Sequence, residues 1–376
     1  PTKECWKYSF DTNEWAQVAD FPTPKGVSGL GSNCLHFSAG HYLNCGGAAT
    51  VDWANNDAVL NSWLWYDSDT NEWSLPHSTN PPGLGKFHVA ESTTDLLLVV
   101  HGGFRNQEVS NKIYYSRIFV SPTTSTTTTT TSTTTTTGST YSSTSGTSTT
   151  EILPVWSLGD SESAGRKCHG AVVYSDQMYV LGGEGSPVYK TMNKYDFASS
   201  VWSIAPSMTK ERTSFLALFS GLLWYAIGGD QDDDTTYEMF DFSTNSWSVP
   251  FRAPVGVSKY SQAGGVSDNQ LYVHGGSDDA YLSSYDGFVP SDRLLQYNPK
   301  TETWTERSAS PKRLSFHQAF VSGGILHLFG GITDNGIPNQ DLLLYNISAN
   351  TWSMISGGGI NLSESSTVVF GRRVYC

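Results

Sequence analysis

No stretch of this chain approaches the roughly 18 consecutive apolar residues that carry a helix across a membrane. Nor does any window sustain the apolar period of an amphipathic helix. Helical membrane insertion and an α-helical core are therefore set aside. Basic residues are scarce: 22 Lys and Arg stand against 35 Asp and Glu, a formal net charge of −13. A surface of that sign repels a phosphate backbone, which excludes general nucleic-acid binding. The five cysteines (Cys5, Cys34, Cys45, Cys168, Cys376) make no CxxC pair and keep no zinc-like spacing to histidine. No glycine-rich phosphate cradle and no Ser–His–Asp order marks a transferase or hydrolase. An initiator Met and a signal peptide are also missing, and the chain opens inside a motif, so a processed or excised segment is expected.

What is present is a repeat. From Arg313 to Trp352 the chain reads as four antiparallel strands: A over about Phe316–Ser322, B over Ile325–Phe329, C over Asp341–Tyr345 and D over Thr351–Ile355. Strand B runs into Gly330-Gly331. The diglycine recurs at Gly46-Gly47, Gly102-Gly103, Gly182-Gly183, Gly228-Gly229 and Gly275-Gly276. An aromatic followed seven residues later by Trp recurs as Tyr8/Trp15, Tyr66/Trp73, Tyr195/Trp202, Phe240/Trp247, Tyr297/Trp304 and Tyr345/Trp352. Turn formers lie between the two, such as Asp69-Thr70-Asn71 and Ser243-Thr244-Asn245. One such meander cannot bury both of its faces, so it requires copies to stack against.

These two recurrences resemble the kelch repeat, and the resemblance covers nearly the whole chain outside one insert. It implies an all-β fold, a β-propeller with about 50 residues per blade. Six complete units end at Trp73, Trp156, Trp202, Trp247, Trp304 and Trp352. The N-terminus supplies only strands C and D of a further unit (Cys5–Tyr8, Glu14–Val18), and the C-terminus only A and B (Ser366–Phe370, Arg373–Cys376). Joined, they close a single domain over 1–376 as a seven-bladed kelch-type propeller, with six blades as the fallback. Closure removes the free sheet edges that invite aggregation. The Trp residues are expected to wedge between blades as scaffold, where burial would make truncation to Ala cost roughly 3–5 kcal/mol.

Residues 121–150, almost all Thr and Ser, interrupt the C–D hairpin of the second unit and are expected to be disordered, since they bury no apolar area. Such a tract is similar to O-glycosylated stalks. Asn346 and Asn361 head N-glycosylation sequons. An extracellular or cell-surface location is expected, with the cytoplasm as the alternative. Cys34 and Cys45 would face each other across a two-residue turn at Ala39-Gly40, so a disulfide competes there with buried free thiols.

In such a meander the B–C and D–A loops share one face, and the B–C loops differ strongly between units, as recognition loops on a rigid scaffold do. Sixteen residues before the first glycine of a pair stand Lys86, Arg166, Arg212 and Lys259, and seventeen before it stands Arg313. They resemble the basic residues with which some kelch domains grip acidic peptides. The structural alternative is that each caps a turn or pairs with a carboxylate such as Asp230 or Asp278. Candidate ligand contacts are these five cations with Trp53, Arg105, Tyr189, Asp230 and Tyr281. The cluster Asp230, Asp232, Asp233 and Asp234 lacks the spacing of a calcium loop and reads as a solvated turn.

The expectation is a recognition module that binds a protein, possibly acidic, or a glycan, as a monomeric propeller within a larger protein and without a cofactor. Enzymes on this fold supply one alternative. A galactose oxidase-like copper site would use Tyr and His, but His101 and His274, directly before diglycines, read as packed inner-strand residues. A nitrile-specifier-like iron motif begins at Glu91 and Asp95 and fails at Val99. An intracellular substrate adaptor is the other alternative.

Overall fold

The computed structural model describes residues 6–9, 12, 14–20, 33–37, 41–45, 63–67, 70–74, 86–92, 97–105, 108–117, 157–229, 235–278, 289–334, 336–356, 368–370 and 373–375. Every helix or strand element among them is a β-strand, and they assemble into seven antiparallel sheets. The last complete unit sets the pattern: Ser315–Ser322, Ile325–Ile332, Asp341–Asn346 and Thr351–Ser356 pair in that order. Its B strand is buried from Leu326 to Ile332, whereas its D strand is half-buried or exposed throughout. An inner strand has protein on both faces, so it reads as a continuous apolar run, and the outer edge alternates.

One sheet is built from both ends of the chain. Its order is Glu14–Gln17, Trp6–Ser9, Arg373–Tyr375, Val368–Phe370, with Lys7 opposite Tyr375 and Ser9 opposite Arg373. The A strands neighbour one another in chain order, Val368–Phe370 beside Asn33–Phe37, then Lys86–Ser92, Gly170–Tyr174, Leu216–Ser220, Ala263–Ser267 and Ser315–Ser322. Sheets are numbered here from first to sixth by their complete units, with the shared sheet apart.

Three sets of contacts join consecutive sheets. The innermost is a chain of backbone hydrogen bonds. Cys168, Ser214, Ser261 and Phe316 each stand fourteen residues before their unit's diglycine and each takes a left-handed backbone, with φ of 52°, 52°, 58° and 56°. Ser214 N–H donates to Cys168 C=O at 3.1 Å, Ser261 N–H to Ser214 C=O at 3.3 Å, and Phe316 N–H to Ser261 C=O at 3.1 Å. Next come the glycines. Gly183 N–H donates to Arg212 C=O at 2.7 Å, Gly229 to Lys259 at 2.6 Å and Gly276 to Leu314 at 2.9 Å, each acceptor lying in the following unit. A Cβ on Gly182 would stand 2.8 Å from that Arg212 oxygen, and one on Gly102 would stand 2.7 Å from Arg166 O. Close approach and positive φ therefore both require glycine there.

The outermost set is the aromatic clamp. The indole N–H groups of Trp73, Trp202, Trp247 and Trp352 donate to the carbonyls of Ala19, Asp160, Pro206 and Ser308, each at 2.7 Å. Each acceptor lies four residues beyond the preceding unit's Trp. These tryptophans are half-buried; their rings rest on the aromatic seven residues earlier while the N–H reaches across. Asn350, left-handed at φ 56°, completes the clamp: its Oδ1 accepts Ser308 N–H at 3.0 Å and Tyr345 O–H at 2.7 Å. Asn71 does the same for Ala19 N–H and Tyr66 O–H.

Of the two readings left open for Cys34 and Cys45, a disulfide or free thiols, the register does not place them as cross-strand partners. Cys34 lies opposite Asn44 and Cys45 opposite Asn33, because the strands join through residues 38–40 between Phe37 and His41. A one-residue offset sets the two cysteines on opposite faces of the sheet. The tract 121–150 and the cysteines Cys5 and Cys376 lie outside the described residues.

The clamp predicts a separable pair of effects. Asn350→Ala loses two hydrogen bonds, one of them across the fifth–sixth joint, and strains a left-handed position, which should lower stability by about 3 kcal/mol in urea unfolding. Asn350→Gly relieves the strain alone and should recover about 1 kcal/mol of that loss.

Candidate functional site

The cations counted back from the diglycines fall into two kinds. Arg166 and Arg212 have no exposed side-chain surface. Arg166 donates from Nη1 to Gly182 O at 2.7 Å and Thr191 O at 3.3 Å, and from Nε to Glu162 Oε2 at 3.1 Å. Its Nη2 bonds the other Glu162 oxygen, which also accepts from Asn193 Nδ2 at 2.6 Å. Arg212 repeats the arrangement, with Nη1 to Gly228 O at 2.7 Å and Thr236 O at 2.9 Å, and Nη2 to Thr236 Oγ1 at 2.8 Å and Glu238 Oε1 at 3.0 Å. Glu238 also accepts the backbone N–H groups of Thr209 at 2.7 Å and Lys210 at 3.1 Å. As ligand contacts these two arginines are corrected: they are internal caps. The left-handed glycine turns its carbonyl away from the strand ladder, and a buried carbonyl needs a donor. Five N–H groups in a fixed fork serve several acceptors at once.

Burial would raise the Glu162 carboxyl. The hydrogen bond and charge of His101 and the guanidinium of Arg166 outweigh it and hold the group below the usual carboxylate range. His101 Nε2 lies 3.1 Å from Glu162 Oε2, and its Nδ1 meets His169 Nε2 of the next unit at 3.2 Å. An equivalent pair joins His274 Nδ1 to His317 Nε2 at 3.0 Å, with Ser310 Oγ at 2.8 Å in the place of the Glu162 carboxylate. His101 and His274 are thus buried inner-strand residues, as read from sequence. Among the described residues no group of three or more His, Cys, Asp or Glu is disposed to hold a metal ion.

In the sixth sheet the capping role changes hands. Asn339 Nδ2 donates to Gly330 O at 3.2 Å and to Asp341 O at 2.8 Å, and Lys312 pairs with Asp341. Leu314 stands sixteen residues before Gly330, where Arg166 and Arg212 stand before their glycines, and its neighbour Arg313 lies at the surface, its side chain 49 % exposed and its Nε 3.9 Å from Asp292 Oδ2. Lys259 is half-buried; its N–H donates to Asp278 Oδ1 at 3.1 Å and its carbonyl serves the glycine joint. Tyr189 is half-buried as well, its ring lying 5.2 Å from the Arg166 guanidinium carbon. Lys86 and Arg105 lie in strands of which only the backbone is described at those positions. Trp53, Asp230, Tyr281 and Asn361 lie outside the described residues. Asn346 sits at a C–D turn, where its Oδ1 accepts from Ser348 Oγ at 2.9 Å and Ala349 N–H at 2.9 Å.

Three aliphatic side chains are exposed in D–A and B–C loops of the fourth to sixth units: Val255 at 83 %, Val289 at 57 % and Ile337 at 59 %. The ion pair Arg293–Glu306, at 2.8 Å, borders them. None of these apolar residues stood out in the sequence, because loop valines and isoleucines carry no pattern.

A family profile described as the Attractin/LZTR1 beta-propeller matches residues 138–375. The chain belongs to that family of kelch-repeat propellers. A Kelch-like protein, terF, of Aspergillus terreus is 31 % identical over 37 % of this chain and 33 % of its own length. Kelch-like protein 38 of Danio rerio is 29 % identical over 40 % of this chain and 25 % of its own. A Kelch repeat and BTB domain-containing protein of cowpox virus is 27 % identical over 37 % and 24 %. The matches thus span a quarter to a third of these relatives. The solved structure of YjhT superimposes with a TM-score of 0.57 at 15 % identity, covering 89 % of this chain and 99 % of that one, which fixes the fold alone. No helix among the described residues is long and apolar enough to cross a membrane.

The buried pair makes a prediction. Removing one partner, Glu238→Gln or Arg212→Met, should cost about 3–5 kcal/mol in urea unfolding because the other charge is left buried. Losses below about 1 kcal/mol from either variant would show that the cap does not stabilise the blade.

Proposed function

We propose that the seven sheets are the blades of one closed ring and that the ring is a recognition module for a protein partner. The partner would bind on the face of the D–A and B–C loops, over the fourth to sixth blades. The observation that carries this reading is the exposure of Val255, Val289, Ile337 and Arg313 on those loops. Exposed apolar side chains rimmed by ion pairs are what a protein interface offers before it is covered. Arg313, held only loosely by Asp292, would orient an acidic group of the partner, and a guanidinium suits a carboxylate in two-point contact.

The family supports the same reading. Its relatives here are Kelch-like proteins, one of them carrying a BTB domain, and a propeller of that kind supplies a binding surface to a longer chain. This favours an adaptor role over a glycan-binding one. It also favours the cytoplasmic alternative; the extracellular expectation finds no support among these relatives. The catalytic alternatives gain nothing from the buried histidines, which the blade joints engage.

The test compares partner recovery by the wild-type chain and by a Val255→Ser/Arg313→Ala/Ile337→Ser variant under matched conditions. Proteins recovered by the wild type should be lost from the variant, with at least a tenfold drop, about 1.4 kcal/mol. An Ile204→Ser control, altering an 85 % exposed residue on an outer strand, should recover them unchanged. Equal recovery by all three chains would refute the proposed face.

A further inference from the structure

Four joints between blades are each keyed by two side chains: the residue before one diglycine and the residue thirteen before the next. The pairs are His101 with His169, Leu181 with Phe215, Ile227 with Gln262 and His274 with His317. Two keys are imidazole pairs, and their surroundings differ in one respect. His101 is backed by the Glu162 carboxylate and, behind it, Arg166. His274 is backed by the neutral Ser310 hydroxyl and by the Trp352 ring, 5.7 Å between centroids.

We infer that the joint between the fifth and sixth blades is an acid-sensitive latch, held shut by the neutral pair His274–His317 and released by a proton. Among the described residues no charge faces the pair from the elements packed on it. In the segment between the blades, Arg307 is bound to Tyr345 and Ile347 O, Lys312 to Asp341, and Arg313 faces Asp292. On the fifth blade Arg293 is held by Glu306, and His327 of the sixth bonds Ile325 O at the A–B hairpin, at the far end of its strand. A proton at the buried pair would have no carboxylate to compensate it, unlike one on His101.

The sign follows from linkage. Burial pushes His317 from the ordinary 6.5 down to about 3, and burial and then His317 push His274 well below 6.5. A released imidazole regains its ordinary value, so the open state binds more protons. The closed joint has its full stability above pH 6.5 and loses it progressively as pH falls toward the folded value. At pH 5.0 one imidazole favours opening by about thirtyfold.

Hydrogen exchange of the full chain at pH 7.5 and 5.0, each normalised to intrinsic rates, reads this directly. Amides of Gly276 and Phe316 cross the fifth–sixth joint, and those of Gly183 and Ser214 cross the third–fourth as controls. Between the two pH values, opening at the first two should rise by at least about thirtyfold, and at the controls by less than about threefold. A His274→Ile/His317→Gln variant copies the Ile227–Gln262 key, in which Gln262 Nε2 donates to Ile227 O at 3.0 Å. It should abolish the excess rise. If it does not fold, His274→Leu/His317→Phe copies the Leu181–Phe215 key and serves the same end. An equal rise at both joints, no rise, or an undiminished rise in the folded variant would each overturn the latch.

Discussion

Two successive left-handed glycines at the inner end of a B strand turn one carbonyl into the interior and aim one N–H at the next blade. The backbone angles at Gly182 and Gly183 are φ 60° and 88°, and at Gly275 and Gly276 they are 67° and 87°. Much of the ring's construction follows from that turn. The N–H finds the carbonyl of the following unit, which brings adjacent blades too close for any Cβ at the first glycine. The inward carbonyl must be paired, and the donor is a buried arginine in the third and fourth blades and Asn339 in the sixth. An arginine buried for that purpose needs an anion, so Glu162 and Glu238 are buried with it. A conformational requirement at glycine thus becomes an electrostatic one two steps away.

The joints are alike in backbone and different in side chain. The same left-handed residue, the same glycine N–H and, in four joints, the same indole N–H recur, yet the keys between them are imidazole pairs, an aliphatic–aromatic pair and an aliphatic–amide pair. Identical backbones would let any blade stack on any other. Keys that differ between adjacent joints bias the repeats toward their chain order.

Much of the fold was legible because spacing is conserved by geometry. A Trp seven residues after an aromatic marks one outer hairpin, and the strands read around Tyr345 and Trp352 agree with the observed ones to within a residue or two, except that Ile325–Ile332 runs on through its diglycine. The shared sheet was legible for the same reason, since two half-units must complete one another. The site was legible only in position. Counting back from the glycines found Arg166 and Arg212, but the need they answer, an inward carbonyl, is written in φ and not in residue type. Their acids could not be found by spacing either, since Glu162 lies four residues before its arginine and Glu238 twenty-six after. Asn350 could have been found: Asn also precedes Trp by two in the first and fourth units, at Asn71 and Asn245, and a left-handed asparagine two residues before the clamp is a turn signal with a mechanism. Cys34 and Cys45 misled because a loop one residue longer reverses the face of a side chain.

In a repeat of this kind, function is best sought where a unit departs from the pattern that the joints impose. The fourth blade departs after Trp247, where Phe251–Arg252 forms a second edge segment on Thr236–Asp241 and the acceptor expected by Trp304 is lost; its indole N–H has no hydrogen-bond partner. The sixth departs by giving the glycine carbonyl to Asn339, with Leu314 in the arginine's place and Arg313 beside it at the surface. Both departures border the loops that carry Val255, Val289 and Ile337. A surface position that no joint employs is open to selection for something else, and here Arg313 and the uncovered aliphatic residues lie on loops of the fourth to sixth units. The sector that departs from the joint pattern is therefore also the sector with surface to offer a partner.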